Sequence, residues 1–311
     1  MVEHTQTPND IRGNSPRAIG RAISMVEKGG PDAEAILTGL DPDRIAQALI
    51  IGITGPPGAG KSTLVNQLIA AFRKQHQKVG VIAVDPSSPI TGGALLGDRI
   101  RMMQHATDDN VIVRSMATRG RLGGLCAAAG GVVRVMAGAG CNPVIIETVG
   151  VGQSEMDIIR LADLTALVLA PGQGDDIQAM KAGLLEVADL LVINKSDRPG
   201  ADALALSLET EIRRRPESPV EILHTEAVTG KGIMELVSAI SRIDLRNRKN
   251  GELTRRRRDN LVREVMDWSL EMLRPQLAAD ISKMPPEILA NPATAARNLL
   301  LRWHPNREDL P

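Results

Sequence analysis

The chain has 311 residues, 43% apolar and 24% charged, which suits one large globular domain or one domain with a small appendage. Its 37 Lys and Arg balance 37 Asp and Glu, so no global positive field argues for nucleic-acid binding. Phe72, Trp268 and Trp303 are the only Phe, Tyr or Trp side chains, which sets aside proteins that stack bases on aromatic platforms and implies an aliphatic core.

Met1 to Asp10 is polar and carries Glu3 and Asp10, unlike a signal or transit peptide. With no run of membrane-spanning length, the expectation is a cytoplasmic protein without membrane association. Ala18, Ile19, Ala22, Ile23 and Val26 recur at helical spacing, and a second short helix is expected to about Leu40, giving a helical segment over 1–47. Seven β-branched or apolar runs follow: Ile50–Thr54, Val79–Asp85, Val111–Ser115, Val144–Thr148, Thr165–Ala170, Leu190–Asn194 and Val220–Leu223. Helix-length segments separate them, so the fold class is α/β, a mainly parallel sheet of about seven strands flanked by helices, over 48–243.

Residues 242–263 carry nine Lys or Arg against three acids and run into Leu261, Val265, Trp268 and Met272 at helical spacing. The pattern predicts one long amphipathic helix whose apolar stripe packs on the body or on another subunit. From Met284 the prolines predict extended chain around one short helix, Thr294–Trp303, so 244–311 reads as a helical extension, a candidate dimerisation arm with a tail. Cys126 and Cys141 are the only cysteines and are not spaced as C-x-x-C, so both are read as structural, in a reducing compartment and without structural zinc.

The chemistry begins at Gly55, Pro56, Pro57, Gly58, Ala59, Gly60, Lys61, Ser62 and Thr63, a G-x-x-x-x-G-K-S match placed after the first strand and opening a helix. Glycines let backbone N–H groups turn in around a β-phosphate, the helix N-terminus adds partial positive charge, Lys61 reaches the β and γ oxygens, and the Ser62 hydroxyl ligates Mg²⁺. Pro56 stands where the deviant-Walker ATPases carry a second lysine, which argues against that branch. Asn194, Lys195 and Asp197 form N-K-x-D at a strand end. A carboxylate at Asp197 accepts from the N1–H and 2-amino group of guanine, whereas adenine offers neither donor, so the nucleotide is GTP or GDP. Asn194 would brace the base edge and loop, and the Lys195 stem would cover the base plane.

Asp85 and Glu147 end parallel strands on the edge that carries the P-loop. Glu147 would hold Mg²⁺ directly or through water, and Gly150 offers an N–H to the γ-phosphate. Asp85 is a candidate for metal contact or for orienting the attacking water. No Gln directly follows Gly150, and Gln153 comes two residues too late for the small-GTPase water-positioning role, which predicts slow intrinsic hydrolysis.

Asp85-Pro-Ser-Ser88, Thr91-Gly-Gly93, Leu96-Gly-Asp-Arg99, Ser115 to Gly120, Glu147-Thr-Val-Gly-Val-Gly-Gln-Ser-Glu155 and Pro171 to Lys181 resemble the MeaB (ArgK, human MMAA) GTPases over roughly residues 15–243. The resemblance implies a homodimeric chaperone-type GTPase of the SIMIBI class. Such proteins gate adenosylcobalamin delivery to, and protect, a B12-dependent acyl-CoA mutase, usually methylmalonyl-CoA mutase, with the 2-hydroxyisobutyryl-CoA and isobutyryl-CoA enzymes as close alternatives. A cobalamin adenosyltransferase is a further candidate partner, and no cobalamin is expected on the chain itself. By the same likeness Asp85, Asp98 and Glu147 organise Mg²⁺ and the switches, Gly172 to Lys181 form the switch through which a mutase stimulates hydrolysis, and Thr225, Glu226, Ala227 and Val228 close on guanine. Glu226 departs from the family's usual Ser-Ala pair, which leaves the Ala227 N–H contact intact and removes any hydroxyl contribution.

Three other readings are weaker. A nickel-insertion GTPase needs a Cys and His cluster, against two separated cysteines and five scattered histidines. A kinase of a transport protein or small molecule, as ArgK naming suggests, lacks a recognisable acceptor domain. A nucleic-acid binder rests on Arg255 to Arg258 alone.

Overall fold

The computed structural model describes residues 15–85, 107–117, 124–148, 160–172, 185, 188–213 and 220–303. Asp98, Gly150 and the segment from 173 to Lys181 lie outside them.

Seven strands form one sheet: β1 (Ile50–Thr54), β2 (Val79–Asp85), β3 (Val111–Ala117), β4 (Val144–Thr148), β5 (Leu164–Leu169), β6 (Leu190–Asn194) and β7 (Glu221–Thr225). Their order is β3-β2-β4-β1-β5-β6-β7 and every pairing is parallel. The seven-stranded sheet expected from the alternating runs is therefore present. β1, β4, β5 and β6 are buried at every residue, because helices cover both faces of a parallel sheet.

On one face Ile51, Ile53, Ile145, Val168 and Val192 pack with Leu64, Leu68, Ile69 and Phe72 of α4 (Lys61–Lys74) and Leu236, Val237 and Ile240 of α7 (Ile233–Lys249). The opposite face divides into two clusters. Ile50, Ile82, Val84, Val144 and Ile146 meet α5 (Gly124–Gly138) through Val132, Val135 and Met136. The same cluster takes in α1 (Pro16–Lys28) through Ile19, Ile23 and Val26, and α2 (Pro31–Thr38) through Ile36. Leu167, Leu169, Leu191 and Ile193 meet α6 (Ala201–Arg213) through Leu204 and Leu208. Burying Cys141 among the second cluster pushes its thiol pKa up to about 12 despite the nearby Lys78 ammonium, so it is packing and not a nucleophile.

The amino ends of the strands carry a repeated bracket. Ile50 and Asp163 exchange bonds, Ile50 N–H to Asp163 Oδ2 at 2.9 Å and Asp163 N–H to Ile50 O at 2.8 Å; Thr165 and Asp189 do the same at 2.8 and 2.9 Å. Two consecutive arginines of α8 (Glu252–Ile281) neutralise these carboxylates. Arg256 grips Asp189 at 2.7 and 2.9 Å, and Arg257 grips Asp163 at 2.8 and 2.6 Å. Arg257 also donates to the carbonyls of Ala46 and Ala48 at 2.8 and 2.6 Å, at the end of α3 (Pro42–Gln47), where the helix dipole favours a cation. Two members of the basic tract are thus spent inside the protein, and Arg255 pairs with Glu252 on the surface. Glu264, buried beside Gly130, is held by Arg134 in the same manner.

The predicted single helix across 242–272 is two helices. α7 ends at Lys249, and Gly251, at φ +78°, separates it from α8. Of the expected stripe, Leu261, Val265 and Met272 are exposed by 53%, 64% and 77%, and Trp268 is partly buried. The tail is more helical than extended, with α9 (Pro286–Leu289) and α10 (Pro292–Trp303). Pro286 and Pro292 occupy first-turn positions, where a missing N–H costs nothing and the fixed φ suits a helix. The described chain forms two compact units, one running to Glu264 and one from Val265. Among the described residues no helix is long and apolar enough to cross a membrane.

Candidate functional site

Parallel strands aim their carboxyl ends the same way, and the register brings Thr54, Thr148, Asn194 and Thr225 to one edge. The loop after β1 starts with Gly55 at φ +142°, where a Cβ would sit 1.9 Å from the Val168 carbonyl oxygen, so only glycine lets the loop pass β5. Gly60, left-handed at φ +92°, caps α4 and turns its first N–H groups toward the loop. Lys61 is 6% exposed, and its ammonium donates to Gly55 O at 2.6 Å and Pro56 O at 3.0 Å, inside the arch it is expected to serve. Pro57, Gly58 and Thr63 are exposed along the loop and first turn, and Pro56 and Ala59 are buried.

Ser62 and Glu147 meet across the edge. The Ser62 hydroxyl donates to Glu147 Oε1 at 2.6 Å, and Glu147 is buried at the end of β4. A hydroxyl and a carboxylate are a donor set for a hard divalent cation such as Mg²⁺, which takes few protein ligands and fills its shell with phosphate and water. Among the described residues no group of three His, Cys, Asp or Glu could hold a metal ion. The adjacent Thr148 hydroxyl donates to that of Thr54 at 3.1 Å, joining the ends of β4 and β1; sequence reading missed this link, which becomes visible only with the strand order. Asp85 ends β2, in register with Ala117 and not beside Glu147.

Asn194 is the joint between the loops. Its Nδ2 donates to Ala59 O at 2.8 Å, and its Oδ1 accepts from Thr225 Oγ1 at 3.2 Å and Ala227 N–H at 3.0 Å. Lys195 adopts φ +55° and lays its ammonium on Gly58 O at 2.6 Å, stretching its stem over the P-loop. Asp197 is exposed beside it. In the loop after β7, Ala227 is buried and Val228 is 86% exposed. The Glu226 carboxylate accepts from Lys231 Nζ at 2.7 Å, which holds it below the usual carboxylate range. Sequence reading missed that pair, although Glu and Lys five apart around Thr-Gly spell a tight hairpin.

A glycine arch with a buried lysine, a hydroxyl paired to a strand-end carboxylate, and an asparagine-braced N-K-x-D on a parallel sheet define a P-loop GTPase. The model of the family described as "Methylmalonyl Co-A mutase-associated GTPase MeaB" matches residues 19–282. A Pyrococcus horikoshii relative carrying a GTPase name is 45% identical over 279 residues, 88% of each chain. GTPase ArgK of Escherichia coli is 36% identical, covering 87% of this chain and 82% of its own. A crystal structure described as an LAO/AO transport system kinase aligns with TM-score 0.66 and 26% identity over 97% of this chain and 92% of that one. This chain belongs to the MeaB family of GTPases.

Proposed function

We infer that this GTPase is a Mg²⁺-dependent chaperone that gates adenosylcobalamin loading and protection of a B12-dependent acyl-CoA mutase, methylmalonyl-CoA mutase or a close relative. The family description, a mutase-associated GTPase, carries the partner. The Asn194 joint carries the nucleotide, because it sets the N-K-x-D loop and the Thr225–Ala227 loop against the P-loop. In this reading Asp197 reads guanine, the Ala227 N–H and exposed Val228 close on the base, and the Lys61 ammonium transfers from the loop carbonyls to the β and γ oxygens. Ser62 and Glu147 would hold the magnesium ion, with Asp85 and Asp98 completing its surroundings and Gly150 facing the γ-phosphate. When bound, that ion neutralises charge between the β and γ oxygens.

Hydrolysis is slow without the mutase, for want of a glutamine after Gly150, and the segment from Gly172 to Lys181 is where the mutase acts. The division into a helical segment 1–47, a G domain 48–243 and an arm 244–311 belongs to the same reading. Leu261, Val262, Val265, Met266, Leu270 and Met272, all at least 53% exposed, supply the face on which a second copy packs.

The test is GTP turnover by the full chain, alone and with a cobalamin-dependent acyl-CoA mutase titrated in, ATP serving as control. A slow GTP-specific rate that climbs with mutase is expected. A rate indifferent to every such mutase, or phosphate appearing on a protein or metabolite instead of in water, refutes the chaperone reading.

A further inference from the structure

Glu226 and Lys231 close a hairpin at the mouth of the guanine loop. Glu226 N–H donates to Lys231 O at 3.0 Å, the two residues forming an isolated antiparallel bridge, and Gly230 N–H donates to Glu226 O at 2.8 Å. Across it Lys231 Nζ meets Glu226 Oε1 at 2.7 Å, and the Thr229 hydroxyl donates to Oε2 at 3.2 Å. The carboxylate side chain is seated at 14% exposed, whereas the lysine is 75% exposed and its head is held by that contact. Thr225, just before Glu226, accepts Ser196 N–H at 3.1 Å, which brings Asp197 alongside the hairpin. Glu226 and Asp197 are the two carboxylates whose charge reaches Lys231, raising its pKa, Glu226 by hydrogen bond and charge and Asp197 by charge from farther off.

We propose that Glu226 is a positioning residue for base recognition: its carboxylate keeps the Lys231 ammonium on the hairpin and off Asp197, so that Asp197 stays open to the N1–H and 2-amino group of guanine. The proposal rests on the assignment of Asp197 as base reader. A serine at 226 would offer Lys231 a short neutral hydroxyl in place of a carboxylate, so glutamate at 226 and lysine at 231 form a charge-matched pair. Without the glutamate, a flexible four-carbon stem with three donors swings to the remaining carboxylate and competes with the base.

Equilibrium binding of a fluorescent GDP to the full chain tests this. Glu226→Gln, close in shape, is expected to weaken GDP about three- to fivefold at low ionic strength, the upper range for an exposed ion pair, with the effect shrinking toward none at about 0.5 M salt. Adding Lys231→Met to Glu226→Gln is expected to restore the affinity, a rescue that a merely structural role for Glu226 would not give. Binding by Glu226→Gln within 1.5-fold of wild type at low salt, or a double variant as weak as the single one, overturns the proposal. Asp197→Ala separates the two assignments: unchanged GDP affinity there removes the base-reader reading itself, whereas a large loss there with a silent Glu226→Gln removes only the role of Glu226.

Discussion

Arg257→Ala should be among the most destabilising single changes in the first unit. Arg257 is about three-quarters buried and makes two bonds to Asp163, which is 3% exposed, and two short ones to the carbonyls of Ala46 and Ala48. Burial works against its charge, and the Asp163 bonds and charge more than offset this, leaving its pKa raised. Removing the guanidinium strands the buried Asp163 side chain, which keeps the Ile50 N–H, and breaking a buried pair from one side costs about 3–5 kcal/mol. Arg248, which also donates to Ala46 and Ala48, covers part of the carbonyl loss, so about 3 kcal/mol is expected.

The assay is urea unfolding followed by circular dichroism at 222 nm, because Trp268 and Trp303 both lie beyond Glu264 and report on the other unit. For a slope of about 3 kcal/mol/M the midpoint falls by about 1 M. Arg255→Ala is the control: its guanidinium is 71% exposed on a same-helix Glu252, worth at most about 0.5 kcal/mol. Adding Asp163→Asn to Arg257→Ala should recover part of the loss by removing the stranded charge. An Arg257→Ala cost within about 1 kcal/mol of that of Arg255→Ala would refute the argument that the basic tract closes the sheet edge.

Gly60→Ala should lower GDP affinity at least tenfold in a titration while circular dichroism shows the fold intact, because its Cβ would sit 2.4 Å from Asn194 Nδ2 at a left-handed φ; wild-type binding would contradict this. Asp197→Asn should weaken GTP roughly 100-fold and favour xanthosine triphosphate, whose C2 oxygen accepts from the new amide; competition binding that still prefers GTP would count against Asp197 as base reader. With its pKa pushed up to about 12, Cys141 carries almost no thiolate below about pH 9, so in a Cys126→Ser background a disulfide reagent at pH 8 should label it only in urea, and labelling of the folded protein would show the packing to be wrong.

The strands of the sheet were legible because a strand covered on both faces must be apolar throughout, as Val144–Thr148 and Leu190–Asn194 are up to their functional last residues. The edge strand was less so: β7 is partly exposed, and the expected Val220–Leu223 is shifted to Glu221–Thr225. Loop chemistry that depends on neighbours in sequence, such as the Gly55–Ser62 arch, could be read directly. Partners brought together by the strand order could not. Nothing near Arg256 or Arg257 announces Asp189 or Asp163, which are 67 and 94 residues away, so a structural clamp and a nucleic-acid patch look alike in one dimension. The break at Gly251 was hidden by charged residues continuing at helical spacing on both sides, and the tail helices were hidden by prolines, which start a helix as readily as they stop one.

The Asn194 carboxamide has a consequence for how the two ends of a nucleotide combine. The phosphate arch follows β1 and the base loops follow β6 and β7, so one amide ties together pieces of chain 135 residues apart. A ligand that touches two subsites gains its second contact at an effective concentration set by the stiffness of the link between them. With that amide in place the tether is short and hydrogen-bonded at both ends, and the joined nucleotide should bind far more tightly than guanosine and pyrophosphate offered as separate molecules.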